Sequence, residues 1–177
     1  MVNDSNWILT TMNGLPRYEK PPLPTWLTAI SGMILGMKNL FALRLPAVLM
    51  IAFSGIFMYL FSRKILLSNT QSVANGLIFI TSFYIIGIIN EAPWDIYAHG
   101  FMLAGIYYIF QFFEEKNNLY KDAIIAGFFV GLSMMSKGPV SLYALFLPFV
   151  ISYAIVFKFK DFKKKMLPLL LFTITFL

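Results

Sequence analysis

Cysteine is absent from this 177-residue chain, and charged residues make up only 12% of it. Without cysteine, the chain can form neither a disulfide framework nor a thiolate metal site. Soluble domains carry roughly 25% charged residues, so the scarcity of charge argues against a soluble protein. Hydrophobic residues make up 59% of the chain, and the mean hydropathy is +0.74. The composition therefore indicates an integral membrane protein.

The formal net charge is +6, but it does not indicate a nucleic-acid partner. The basic residues fall in short segments between apolar runs and form no extended basic patch. We therefore expect membrane lipids, and no nucleic acid, around this chain. Residues 1–20 lack a basic segment followed by an apolar core, so no signal peptide is visible.

Apolar runs that can cross a membrane recur from residue 45 onward. A transmembrane helix needs about 20 mainly apolar residues, and the runs that meet or approach this length are 45–62, 73–90, 96–113, 123–136 and 138–157. We assign residues 68–72, which are polar, to the loop before the second run. The last run, 166–177, looks like a truncated span. The pattern predicts an all-α polytopic bundle with about six spans.

The positions of the basic residues between these runs indicate the topology. The basic residues at 63–64, 116–121 and 158–165 fall in alternate loops, which the positive-inside rule places in the cytoplasm. Run 21–37 is short and contains two glycines, so we predict that it lies in the plane of the outer interface. Residues 1–44 then form an outer, periplasmic loop with this in-plane helix, and residues 45–177 form the transmembrane module.

Three polar segments fall on the predicted outer side. The first is 17–22, Arg-Tyr-Glu-Lys-Pro-Pro, in which the two prolines hold the residues before them extended. In the second, Pro93 suits the first turn of a helix, so Asp95 lies near its amino end and His99 lies one turn further on the same face. The third is Lys-Gly-Pro at 137–139. From spacing alone, each segment also fits a membrane-surface anchor, a helix cap or a snorkelling lysine.

Two of these segments carry a family resemblance. The run from Trp7 to Trp26, with Asn-Gly-Leu-Pro-Arg-Tyr-Glu-Lys-Pro-Pro-Leu at 13–23, resembles the first outer loop of the family-39 and aminoarabinose-transferase-like membrane glycosyltransferases. The turn at 137–139 resembles the Lys-Gly-Pro turn of the same family. The resemblance implies a GT-C fold, and it implies transfer of a sugar from a polyprenyl-phosphate carrier to a lipid, glycan or protein acceptor. It also implies a bacterial inner membrane with the active face outside.

The resemblance implies roles for particular residues. The carboxylates with catalytic roles are Asp95 and Glu19. The cations that bind the lipid phosphate are Lys20, Arg17 and Lys137. The further candidates for the same site are Glu91, His99 and Tyr18. Lysine and arginine suit a phosphate leaving group because they neutralise its growing charge, and a carboxylate can take the proton of the acceptor hydroxyl. We predict no cofactor or metal, although a divalent cation held by Glu19 and His99 is an open alternative.

The chain departs from the family pattern at its amino end. The family carries an Asp-Glu pair before an aromatic residue, just after an upstream span, and neither is found before Trp7. We therefore expect a fragment that is inactive on its own. The alternatives are a transporter, for which paired broken helices in two halves would be expected and are not seen, and a non-catalytic membrane fragment.

The topology predicts where single cysteines introduced into this cysteine-free chain will react. A membrane-impermeant thiol reagent should label, from outside, the positions next to Lys20, Asp95 and Lys137. It should not label the positions next to Lys64, Lys116 and Lys164. Labelling next to Lys20 from the cytoplasmic side alone would mean that 21–37 crosses the membrane.

Overall fold

The computed structural model describes residues 7–8, 11–12, 15–16, 20–65, 67–82, 87, 93–114, 118–157 and 162–176. Two short strands, β1 (Thr11–Met12) and β2 (Leu15–Pro16), pair in an antiparallel hairpin. The α-helices that follow are α1 (Leu23–Leu35), α2 (Leu40–Lys64), α3 (Asn69–Thr81), α4 (Pro93–Glu114), α5 (Leu119–Lys137), α6 (Leu147–Phe157) and α7 (Phe162–Phe176). A π-helical turn, Leu142–Phe146, leads into α6.

Within the described residues, three helices are long and apolar enough to cross a membrane. They are α2, α4 and α5. Helix α1, with 13 residues, is shorter than the roughly 20 residues that a span requires. The prediction of a helical membrane bundle is confirmed.

Three helix boundaries differ from the sequence prediction. Helix α3 begins at Asn69, not after residue 72, because Ser68 and Gln71 form a capping box in which each side chain bonds the other residue's backbone N–H. Helix α2 begins at Leu40, where the Asn39 side chain accepts from the Phe41 N–H at 3.0 Å. Helix α7 begins at Phe162, so part of the basic segment 158–165 is helical. Polar residues predicted to lie in loops therefore begin helices.

Helix α4 lies between α2 and α5 and makes most of the core. On one side its larger residues, Met102, Ile109 and Phe112, pack in one cluster with the small residues of α5. On the other side, Ile96 and Tyr97 pack against the first half of α2. Further along, Phe61 of α2 lies with its ring centroid 5.4 Å from that of Phe110 of α4. The two helices therefore run parallel.

Helix α5 runs antiparallel to α4. The Ser133 hydroxyl, near the end of α5, donates to the Ala98 carbonyl, near the start of α4, at 2.7 Å. This geometry gathers the start of α2, the start of α4 and the end of α5 at one end of the bundle, which we call the site end. The other end holds Glu114 of α4, whose carboxylate accepts from the Tyr153 hydroxyl at 2.6 Å.

Gly127 allows α7 to approach α5 at backbone distance. A Cβ at this position would lie 2.6 Å from the Phe172 carbonyl oxygen and 1.9 Å from the Thr175 hydroxyl. A backbone carbonyl cannot rotate out of the way, so even a methyl group forces the two helices apart.

We expect Gly127→Ala to lower the free energy of unfolding by about 1–3 kcal/mol, the usual effect of overpacking. Gly87→Ala is the matched control, since no atom of the described residues lies within 4 Å of its added Cβ. Thermal unfolding of the purified protein in detergent measures both variants. Equal stability of the two variants would show that α7 does not pack on α5 in this way.

Candidate active site

An ion pair between Asp95 and Lys137 connects two helices at the site end. Asp95 lies in the first turn of α4, which begins at Pro93 as predicted, and Lys137 is the last residue of α5. The Lys137 ammonium contacts Asp95 Oδ1. The Lys137 side chain is 33% exposed and the Asp95 side chain is 14% exposed. The pair is therefore largely buried, but Lys137 remains accessible to a ligand.

Helix dipoles stabilise both members of this pair. A carboxylate near a helix amino end and a cation near a helix carboxyl end each complement the partial charge of the backbone there. Helix α5 ends because Gly138 has φ +73°, and the Gly138 N–H donates to the Met134 carbonyl at 2.7 Å. This backbone conformation suits glycine, and Pro139 follows it. The Lys-Gly-Pro sequence thus fixes where the helix stops and where Lys137 lies.

Lys20 lies beside this pair through a contact with Trp94. Its ammonium is 4.3 Å from the centroid of the Trp94 ring, a cation–π distance, and Trp94 precedes Asp95 in the first turn of α4. At the amino end of α1, the Trp26 indole donates to the Trp7 carbonyl at 2.6 Å. The structure therefore brings Lys20 to the same end of the bundle as Asp95 and Lys137, as the alternation of spans predicts.

His99 follows Asp95 by one helical turn on α4. It is half-buried and lies close enough to Asp95 and Lys137 to interact electrostatically with both. The predicted shared face of Asp95 and His99 agrees with this arrangement.

The other predicted site residues, Arg17, Tyr18, Glu19 and Glu91, lie outside the described residues. Their roles stay predictions. Among the residues that the structure does describe, no group of three His, Asp or Glu side chains is placed to hold a metal ion. The open alternative of a cation held by Glu19 and His99 is not tested, because Glu19 lies outside the described residues.

A cavity of about 210 Å³ opens between α1, α2 and α4, next to Trp94. Its walls include Thr25, Thr28, Arg44, Ala47, Trp94 and Tyr97. Sequence reasoning did not select Trp94 or Arg44 for the site. The signal for Trp94 was its position between two predicted site residues, and the signal for Arg44 was a lone arginine between two apolar runs.

Comparisons with known proteins agree on one family. A family model described as dolichyl-phosphate-mannose-protein mannosyltransferase matches residues 19–177. The undecaprenyl phosphate-alpha-4-amino-4-deoxy-L-arabinose arabinosyl transferase of Wigglesworthia glossinidia brevipalpis is 29% identical over 85% of the chain and 26% of its own length. The transferase 2 of the same description from Proteus mirabilis is 26% identical over 94% of the chain and 30% of its own length. The chain thus spans 26% to 30% of the length of these curated relatives.

One solved structure shares the fold. The apo crystal structure of ArnT from Cupriavidus metallidurans superposes with a TM-score of 0.79, at 16% identity, over 98% of this chain and 33% of the other. The predicted GT-C-type fold is confirmed by this likeness, which at such low identity concerns the fold alone.

The contribution of the Asp95–Lys137 pair to the free energy of unfolding can be tested by removing each charge. Either Asp95→Ala or Lys137→Ala leaves one charge without its partner, so each should destabilise the protein by about 1–3 kcal/mol, between the values for exposed and buried pairs. The double variant should lose less than the sum of the two single losses. Unfolding of all three variants in detergent measures the coupling, and additive losses would show that the pair contributes nothing.

Proposed function

Since the chain belongs to the dolichyl-phosphate-mannose-protein mannosyltransferase family, we propose that it forms the donor-binding part of a membrane glycosyltransferase that uses a polyprenyl-phosphate sugar. The observation that carries this proposal is the Asp95–Lys137 pair with Lys20 beside it on Trp94. Two lysines and one carboxylate at one end of an apolar bundle are the groups that such a transfer requires. The names of the curated relatives, which specify an undecaprenyl phosphate donor, support the same donor class.

The reaction needs a leaving group, a nucleophile and a base. The oxygen of an acceptor hydroxyl attacks the anomeric carbon of the sugar, and the bond from that carbon to the phosphate oxygen breaks. The acceptor proton goes to a carboxylate, and the polyprenyl phosphate leaves with the bonding electron pair. Lys20 and Lys137 stabilise the charge that grows on the phosphate, since cations placed where charge develops lower the barrier. Arg17, three residues before Lys20 in the sequence, is the third cation of this group.

The ion pair also gives Asp95 its role as a base. Lys137 contacts the Asp95 carboxylate before a substrate binds. A phosphate that binds Lys137 competes with Asp95 for the same ammonium, so donor binding weakens the hold of Lys137 on Asp95. Asp95 then becomes able to accept the proton of the acceptor hydroxyl, with Glu19 as the second carboxylate. In this proposal, Glu91, His99 and Tyr18 are further candidates for the same site.

We place this chemistry on the outer face of a bacterial inner membrane. Residues 1–44 lie outside as a periplasmic segment in which α1 is in the interface plane, and residues 45–177 cross the membrane. The acceptor is a lipid, glycan or protein. The family description names mannose and the relatives' names specify an aminoarabinose, so the sugar itself is left open. No observation favours a transporter.

The proposal predicts which lysines matter for transfer. In a full-length relative that carries the same Glu-Lys-Pro-Pro and Lys-Gly-Pro sequences, Lys20→Ala and Lys137→Ala should each lower kcat by about 10²–10³, because a contact to developing charge is lost. Transfer of radiolabelled sugar from a polyprenyl-phosphate donor measures this. The same assay on the 177-residue chain tests the expectation that it is inactive alone.

Lys121→Ala is the matched control. Lys121 is exposed and lies at the start of α5, at the opposite end from Lys137. This variant should keep its rate within about twofold of the wild type, as expected for a surface charge. Equal rates for Lys20→Ala, Lys137→Ala and Lys121→Ala would contradict the proposal. Lys20 and Lys137 would then be surface anchors with no part in transfer.

A further inference from the structure

Arg44 lines the cavity between α1, α2 and α4, and the described residues supply no counter-charge for it there. It is exposed, and no carboxylate is among the described residues that line this cavity. Among the described residues, Arg44 also makes no ion pair. A guanidinium at the wall of a mostly apolar cavity can bind an anion, and its planar donors suit a phosphate.

A second cation contacts one side chain of the cavity wall. Trp94 forms part of the cavity wall, and the Lys20 ammonium lies 4.3 Å from the centroid of its ring. Lys20, in the segment before α1, contacts the Trp94 ring, and Arg44 of α2 lines the same cavity as Trp94. Two cations around one aromatic wall strengthen the attraction for an anionic ligand.

The cavity is large enough for a ring as well as an anion. A protein cavity of about 150 Å³ binds benzene, and this cavity measures about 210 Å³. The Thr25 and Thr28 side chains supply hydroxyl groups on the α1 side, and the Thr28 hydroxyl donates to the Pro24 carbonyl at 2.9 Å. An aromatic wall with a few fixed polar groups is the usual composition of a small-molecule site.

We propose that Arg44 is a substrate-binding residue that holds a phosphate or equivalent anionic group in this cavity, with Lys20 as the second cation. The inference rests on the proposed function, which supplies a phosphate-bearing donor. Two substrates can supply the anion: the donor, through its lipid phosphate, or the acceptor, through an anionic group of its own. In either case, Arg44 acts in binding and orientation, while proton transfer stays with the carboxylates.

The direct test is binding of radiolabelled undecaprenyl phosphate to the purified protein, with neutral undecaprenol as the reference ligand. Arg44→Gln should weaken phosphate binding by about 10- to 100-fold, as expected for the loss of a charge-assisted hydrogen bond. It should leave undecaprenol binding unchanged, and Arg44→Lys should be intermediate. Lys38→Gln is the matched control, because Lys38 is exposed in the turn before α2 and its loss changes the net charge equally.

A kinetic arm identifies which substrate supplies the anion. In the full-length relative, a higher KM for the donor alone assigns the anion to the donor. A higher KM for the acceptor alone, with undecaprenyl phosphate binding unchanged, assigns it to the acceptor. If binding and both KM values in Arg44→Gln match those of Lys38→Gln, the inference is wrong.

The inference and the proposed function fail in different ways. If wild-type protein transfers sugar while the Arg44 variants behave like the Lys38 control, the function stands and Arg44 has no binding role. If undecaprenyl phosphate binds through Arg44 while no sugar is transferred from any donor, Arg44 keeps its role and the transferase function is wrong. Absence of both binding and transfer in the wild type overturns both.

Discussion

A charge inside an apolar bundle must either reach water or meet an opposite charge, and the contact between Asp95 and Lys137 satisfies this requirement for both residues. Moving each charge out of water costs several kcal/mol, and the attraction between them offsets that cost only when the geometry is good. Here the geometry comes from the helix ends. Asp95 lies where α4 begins and Lys137 lies where α5 ends, so the antiparallel packing of these helices also creates the pair.

The rest of the site depends on the same two helix ends. Trp94 precedes Asp95 in the first turn of α4, and its ring positions Lys20 and forms part of the cavity wall that includes Arg44. His99 follows one turn later. Without Pro93 to begin α4 and Gly138 to end α5, these groups would not meet at one end of the bundle. Two short sequence motifs therefore determine the position of a site whose members come from three helices and the segment before them.

The sequence predicted the helical class, the alternation of spans and the position of the site end, because these follow from hydropathy and from the charges between runs. The start of α4 at Pro93 and the end of α5 before Gly138 could be predicted, since each of these residues restricts the backbone at its own position. The start of α3 was predicted wrongly, because the low hydropathy of Ser68 and Gln71 is typical of a loop. Their spacing, however, is that of a capping box. Arg44 and Trp94 were missed because their importance depends on which helix lies opposite, and one sequence does not contain that information.

Helix α4 is held at both ends by polar contacts to segments that are synthesised later. Asp95 pairs with a lysine 42 residues further along the chain, and Glu114 accepts from a tyrosine 39 residues further along. When α4 first leaves the ribosome, neither acid has its partner, so both ends of the helix must stay at the membrane surfaces, where water solvates the carboxylates. Completion of α5 neutralises the first acid, and completion of α6 bonds the second. The contact at the site end can therefore form earlier in synthesis than the contact at the opposite end.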